Sequence, residues 1–274
     1  MVDEIKHQDS KTSGELLYAS EWNKDHNIDK DKLRKLLDLA TIAEVIEEIA
    51  WANLDAEQGV CTDGTYLFVT TTERLSRWTK TGTRTHDIDA FNGDVDVDHA
   101  GDCAYYNNKV YVTCTNYPTC TIRRIYVYNA NDLSFVNKYN ITTNPASGIE
   151  IGGLAWDPLS ERFWLCSYEE TPDKIYKYTT AFVYDDRTLT LPQTNCQGIT
   201  FASNGVLLIS GCYNLVECCP VKNMKDGENV MILRAHDIIG HEGIDLDPDG
   251  ETLWLCKWHT GGDDPLLKMK YLPL

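Results

Sequence analysis

The stretch GIDLDPDGETLWLCKW, residues 243–258, decides the fold, because four earlier stretches follow the same plan. They are GVCTDGTYLFVTTT at 59–72, GDCAYYNNKVYVTCT at 101–115, GLAWDPLSERFWLCSY at 153–168 and GITFASNGVLLISGC at 198–212. Each opens on glycine and a short strand, crosses a polar turn and enters a second, β-rich run. The glycines stand 42, 52, 45 and 45 residues apart. A period of about 40 to 50 residues with short strands marks propeller blades rather than helical repeats.

The interior of each unit supports this. The second strands LFVT, VYVT, FWLC, LLIS and LWLC are apolar on both faces, as strands are when neighbouring blades cover both sides of a sheet. The turns before them carry Asp63-Gly64, Asn107-Asn108, Asp157-Pro158, Asn204-Gly205 and Asp249-Gly250, all pairs that favour tight reversal. Further strands are read at 124–129, 134–141, 174–178 and 188–191. The repeated glycine lets innermost strands crowd around the axis. The expected fold is all-β: a five-bladed β-propeller over 49–274, preceded by a short helix at 31–48 and a polar anchor segment at 1–30. The last unit ends after three strands, so residues 49–56 are expected to add its outer strand and close the ring. Closure leaves no long sheet edge exposed.

Composition narrows the function. Of 274 residues 42% are hydrophobic and 24% charged, enough for a sizeable core and too few charges for wholesale disorder. A net charge of −17 argues against a nucleic-acid partner, which needs a basic face. No apolar run reaches the ~18 residues of a membrane span, and the first 30 residues lack a signal peptide's apolar core. The chain is expected to be made in a host cytoplasm. Of the ten cysteines, Cys166 and Cys256 share a place in WLC triplets, and Cys61 and Cys103 share another. Those positions suit small buried apolar residues. Cys114/Cys120 and Cys212/Cys218 bracket short loops that an oxidising environment could bridge. Cys212, Cys218 and Cys219 lack the flanking partner pair of a zinc site.

Residues 31–50, DKLRKLLDLATIAEVIEEIA, are strong helix formers, and Leu39, Ile42, Ile46 and Ile49 follow a 3-4-3 spacing. This stripe reads either as an oligomer seam or as one face docked on the propeller. Just before it, SGELLYASEWNKDHNID at 13–29 resembles the N-terminal attachment region of tailed-phage fibre, spike and related virion proteins. Gly14, Ala19, Ser20, Trp22, Asn23 and His26 carry the match. The resemblance implies a structural virion component, a tail fibre, spike or decoration protein. Residues 1–30 would then bind other virion proteins, the helix would hold a homo-oligomer of trimeric type, and the propeller would mediate adhesion to a host surface receptor or protein contacts.

Residues at the starts of inner strands should surround the axial channel: Gln58, Asp102, Glu150, Gln197, His241 and Glu242. Such a set lines a wet channel or, as the rival reading, binds a metal or acts as acid and base. In outline it also resembles the sugar-lactone hydrolases, which implies a propeller hydrolase of sugar lactones or glycosides with an axial metal resting on Glu150, His241 and Glu242. A cellular protein-binding scaffold is the third reading. Tyr117, Tyr168, Tyr213 and Trp258 follow the second strands at one height and suit a protein or glycan contact surface. No cofactor is expected beyond a structural calcium. The DVDVD run at 94–98 alternates carboxylates with valines as a half-exposed strand would, and DLDPDG at 245–250 reads as an ordinary turn. No catalytic motif with a nucleophile elbow, phosphate loop or zinc helix is present.

Overall fold

The computed structural model describes residues 43–168, 170–191, 195–203, 205–211, 217–220, 241–257 and 264–271, with the side chains of 43, 44, 217–220 and 241 left out. Every regular element among them is a β-strand. After β1 (Ala43–Ile49), the strands β2 (Gly59–Thr62), β3 (Tyr66–Thr70), β4 (Arg74–Thr79) and β5 (Arg84–Asp89) form an antiparallel sheet in that order. A second sheet follows with β6 (His99–Tyr106), β7 (Lys109–Thr115), β8 (Arg123–Asn129) and β9 (Phe135–Asn140). The third has β10 (Glu150–Asp157), β11 (Arg162–Tyr168), β12 (Lys174–Tyr178) and β13 (Tyr184–Thr190). Next come β14 (Cys196–Phe201), β15 (Val206–Gly211) and β16 (Glu217–Pro220), a three-stranded sheet among the described residues. The last sheet has the order β1-β19-β18-β17, from β17 (His241–Leu246), β18 (Thr252–Lys257) and β19 (Leu266–Tyr271). The all-β propeller arrangement is therefore present. In count, the described residues make four complete four-stranded blades where the repeats predict five, with β14-β15-β16 standing between two of them.

The first and last blades are joined by β1, which pairs antiparallel with β19 from Ala43↔Tyr271 to Ile49↔Leu266. An N-terminal strand does complete the last blade, but it is Ala43–Ile49 rather than residues 49–56. Those residues instead turn, with the Leu54 N–H donating to the Trp51 carbonyl at 2.9 Å, and lead to β2 with Leu54 and Ala56 buried. The expected helix is corrected over the same stretch. As strand, with a bulge between Val45 and Glu47, it leaves Ile46 56% exposed and Ile49 4%. A single seam through Ile46 and Ile49 is thus ruled out. Leu39 and Ile42, with the attachment residues Gly14, Ala19, Trp22, Asn23 and His26, lie outside the described residues. Pairing with a waiting edge outweighs the helical propensity of AEVIEEI, as tertiary context commonly does.

The turns work as their residues suggest. Asp63 Oδ1 accepts the N–H groups of Thr65 and Tyr66 at 2.7 and 2.6 Å, and Asp249 Oδ1 those of Glu251 and Thr252, both at 2.8 Å. Asp157 and Asp247 each receive the indole N–H of the tryptophan seven positions on, Trp164 at 3.4 Å and Trp254 at 3.1 Å. The run at 94–98 forms a turn flanked by irregular chain, not a strand, with Val97 buried and Val95 exposed. Asp94 there accepts from Arg124, Lys138 and the Tyr126 hydroxyl, each at 2.6 Å, while Asp96 meets Arg124 at 2.9 Å. Burial pushes the Asp94 carboxyl up, but these partners outweigh it and hold it well below the usual range. Cys114 is a free buried thiol within 3.8 Å of the Ala90 carbonyl, so the bridge to Cys120 is not formed. The side chains of Cys212, Cys218 and Cys219 lie outside the described residues.

Candidate functional site

The inner strands β2, β6, β10, β14 and β17 approach so closely at the repeated glycines that side chains have no room. A Cβ on Gly243 would stand 2.5 Å from both Gly59 Cα and Asp102 Oδ1, and one on Gly59 would stand 2.6 Å from Asp102 Cα. Asp102 is fully buried in this crowded centre. Its Oδ1 accepts the Cys103 N–H at 2.8 Å and its Oδ2 the Leu154 N–H at 3.2 Å, with the Ile199 backbone as a further donor. The inner edges of innermost strands have no neighbouring strand to satisfy their N–H groups, and this one carboxyl serves three of them. Burial pushes Asp102 well up, only partly offset by those donors, and Asp245 pushes it further. Asp102 therefore plugs the axis and separates two mouths.

The upstream mouth lies at the starts of the inner strands. His99 Nε2 is 3.4 Å from Glu150 Oε1. Burial pushes the His99 pKa down, while Glu57 and Asp98 pull it back, so the contact is that of a neutral imidazole at pH 7. Glu57 accepts from the Thr72 N–H at 2.9 Å and the Thr72 hydroxyl at 3.1 Å. Glu242 is pushed well above its ordinary value by burial and then by Glu150, Asp264 and Glu57. Among the described residues no group of three or more His, Cys, Asp or Glu side chains is placed to hold a metal ion.

The downstream mouth holds a cavity of about 290 Å³. Tyr105, Trp156 and Phe201 give it aromatic walls, and Thr62, Thr200 and Asp245 bring polar groups to it. Tyr105 is stacked on Phe68 with ring centroids 6.2 Å apart, and Trp156 on Tyr106 at 3.6 Å, so both walls are braced from behind. Asp245 Oδ2 accepts the Thr62 N–H at 2.8 Å, and Oδ1 accepts the Thr200 hydroxyl at 2.8 Å and the Leu246 N–H at 3.0 Å. Burial pushes its pKa up to about 7 despite these donors, with Asp247 adding to the rise. A carboxyl poised near neutrality in a cleft can accept a hydrogen bond, donate one, or carry a proton between them.

Of the axial candidates, Asp102 is at the centre and Glu150 and Glu242 meet at the upstream mouth. Gln58 and Gln197 are half-buried at strand starts, and Gln58 is tied through its backbone to Thr70 and Gly243. The side chain of His241 lies outside the described residues, as do Tyr213 and Trp258. Tyr117, 47% exposed, packs on His99 with ring centroids 5.1 Å apart, and Tyr168 pairs across the sheet with Glu150. Both tyrosines thus sit beside the upstream mouth. The downstream cavity was missed by reading Asp245 only as part of a turn. Aligning the repeats on their glycines exposes it: the residue one after glycine is Val60, Asp102, Leu154, Ile199 or Ile244, and the next is Cys61, Cys103, Ala155, Thr200 or Asp245. One carboxylate stands out in each set.

No family model matches the sequence, and no curated protein is similar to it. Solved structures share the fold. The PQQ-bound aldose sugar dehydrogenase of Streptomyces coelicolor is 14% identical, with 83% of this chain and 97% of that one covered at a TM-score of 0.53. For the glutaminyl cyclase of Myxococcus xanthus the values are 13%, 84%, 97% and 0.59. A luciferin-regenerating enzyme is 11% identical over 82% of this chain and 76% of its own, at 0.50. Likeness at these identities is likeness of fold, and propellers serve many functions.

Proposed function

We propose that the chain is the display module of a virus particle, a five-bladed ring in which β14-β15-β16 is the fifth blade and the downstream mouth binds the ligand. The observation that carries the binding role is the blind cavity itself. Asp102 stops the axis behind it, braced aromatic rings wall it, and an unusually basic carboxylate waits inside it. A concave, mostly apolar site with a few convergent polar groups is the usual form of a small-ligand site. The attachment-like residues 13–29 support the particle role, with residues 1–30 joining several copies to other virion proteins. Particles should be labelled by antibody against this chain in electron micrographs. Particles carrying Trp156→Ala should keep the label and lose at least about tenfold in host adhesion. An unlabelled particle would overturn the virion part, and undiminished adhesion the binding part.

A second reading has one observation in its favour. With a pKa of about 7, Asp245 suits a general acid or base at neutral pH. Under the hydrolase reading, lactone or glycoside turnover would follow a pH profile with an inflection near 7 that Asp245→Asn removes.

A further inference from the structure

The polar groups at the centre of the downstream cavity, around Asp245, are largely committed to one another. The Thr62 hydroxyl donates to the Tyr66 carbonyl at 2.9 Å and accepts the Gly64 N–H at 3.0 Å. The Thr200 hydroxyl has given its proton to Asp245. What remains at the centre is an acceptor: of the roughly four lone-pair positions of a carboxylate, Asp245 has three filled, two on Oδ1 and one on Oδ2. No cation pairs with Asp245 among the described residues. Lys80 is spent on Asp247, beside its contact to the Gly64 carbonyl at 2.7 Å. Behind Asp245, along the axis, stands a second carboxyl, Asp102.

An anion would meet the carboxyls of Asp245 and Asp102. An ammonium group offers only donors and positive charge. It also gains from the electron-rich faces of Tyr105, Trp156 and Phe201, which attract a cation placed over them. We infer that the downstream mouth binds an organic ammonium head group, held between the Asp245 carboxylate and the aromatic walls. The inference rests on the reading of this cavity as the binding site and specifies its ligand.

The groups facing Asp245 set the pH dependence. They are Cys61 on β2, Asp102 and Cys103 on β6, Thr200 on β14, and Asp247 with its Lys80 beyond β17. The thiols are pushed up by burial and stay neutral. Asp245, pushed up to about 7 by burial, changes charge in this range. A bound ammonium favours its ionised form, so binding should release about half a proton at pH 7 and weaken roughly tenfold per pH unit below 6.

Cyclohexylamine and cyclohexanol have nearly the same shape and differ in charge, and both fit a volume of about 290 Å³. Titrated into the full chain at pH 7.5 and followed by tryptophan fluorescence and calorimetry, the amine should bind at least about tenfold more tightly. Asp245→Asn should erase the difference, with circular dichroism confirming its fold, and Trp156→Ala should weaken the amine. Equal or tighter binding of the alcohol would overturn the ammonium assignment while leaving the cavity as the site. If neither compound binds, the assignment fails outright, and adhesion of Trp156→Ala particles then decides separately whether the cavity is a site at all.

Discussion

The two mouths of the axis differ in how they treat their carboxylates. Upstream, Glu57 is tied to Thr72, Glu150 touches His99, and Glu242 is crowded by its neighbours. Polar groups there answer one another or repel. Downstream, Asp245 is fixed by backbone and threonine donors and faced by aromatic rings, while its neighbour Asp247 is paired with Lys80. The number of charged residues would favour the upstream mouth as a site. Geometry favours the downstream one, because recognition needs a shaped cavity with few, unanswered polar groups. Asp102 keeps the mouths apart while coupling them through the packing of all the inner strands.

The largest effect should come from opening the ring. The two mouths share the wall between β17 and β2, held by the pairing of β1 with β19 and by Ile49 among Leu54, Trp78 and Trp254. Removal of residues 1–42 should leave the thermal midpoint within a couple of degrees. Removal of 1–49 should lower it by roughly 6–12 °C, from about 3 kcal/mol of lost pairing and burial. Equal midpoints would show that closure does not support the mouths.

A smaller effect separates the mouths by pH. The folded pKa of Asp245 is raised, so the folded chain holds a proton that the unfolded chain releases. Its contribution is fully present below pH ~4 and is lost as pH rises towards 7. Discounted by half because solvent reaches the half-buried carboxyl, the rise to about 7 leaves about 2 kcal/mol, so Asp245→Asn should gain about 4–8 °C in midpoint relative to wild type between pH 4 and pH 8. Thermal scans at both values check this. A flat difference would mean that the downstream acid is solvated like an ordinary surface carboxylate, and the contrast with the upstream mouth would weaken.

Much of this was legible in the sequence, and the failures have physical causes. Five glycines at a blade-like period, each followed by a turn and an apolar strand, carry the propeller, because close approach at an axis demands glycine repeatedly. The closing strand was misplaced because AEVIEEI lies on an outer edge with residues 45–48 exposed and Ile49 alone buried among its described side chains, where glutamates are tolerated and propensity misleads. The DVDVD run misled by its alternation, since cationic partners on β8 and β9 decide its shape. Asp102 was named among the axial residues, though its work as a backbone acceptor across three blades is a tertiary fact. Asp245 sat in plain view inside a turn motif, and only register against the other repeats separates it from Asp247 and Asp249.

The smallest effect tests the upstream mouth directly. Tyr117 was read as a contact residue from its place after a second strand, and it is 47% exposed beside His99. Half of its ring already lies in water, and its backbone N–H is held by Asp98 Oδ1 at 2.8 Å whatever the side chain. Tyr117→Ala should thus cost less than about 0.5 kcal/mol in stability, the range of surface substitutions. It should leave cyclohexylamine binding unchanged, since Asp102 blocks the axis between Tyr117 and the downstream cavity. Losing the ring should still be felt locally, because His99 would gain water and its lowered pKa would relax towards the ordinary value. Proton NMR titration of the His99 imidazole reads that shift while adhesion of particles carrying the variant reads function. A rise in the His99 pKa with full adhesion keeps recognition downstream. Lost adhesion with amine binding intact would move the receptor contact to the upstream tyrosines and leave the downstream cavity with a ligand of its own.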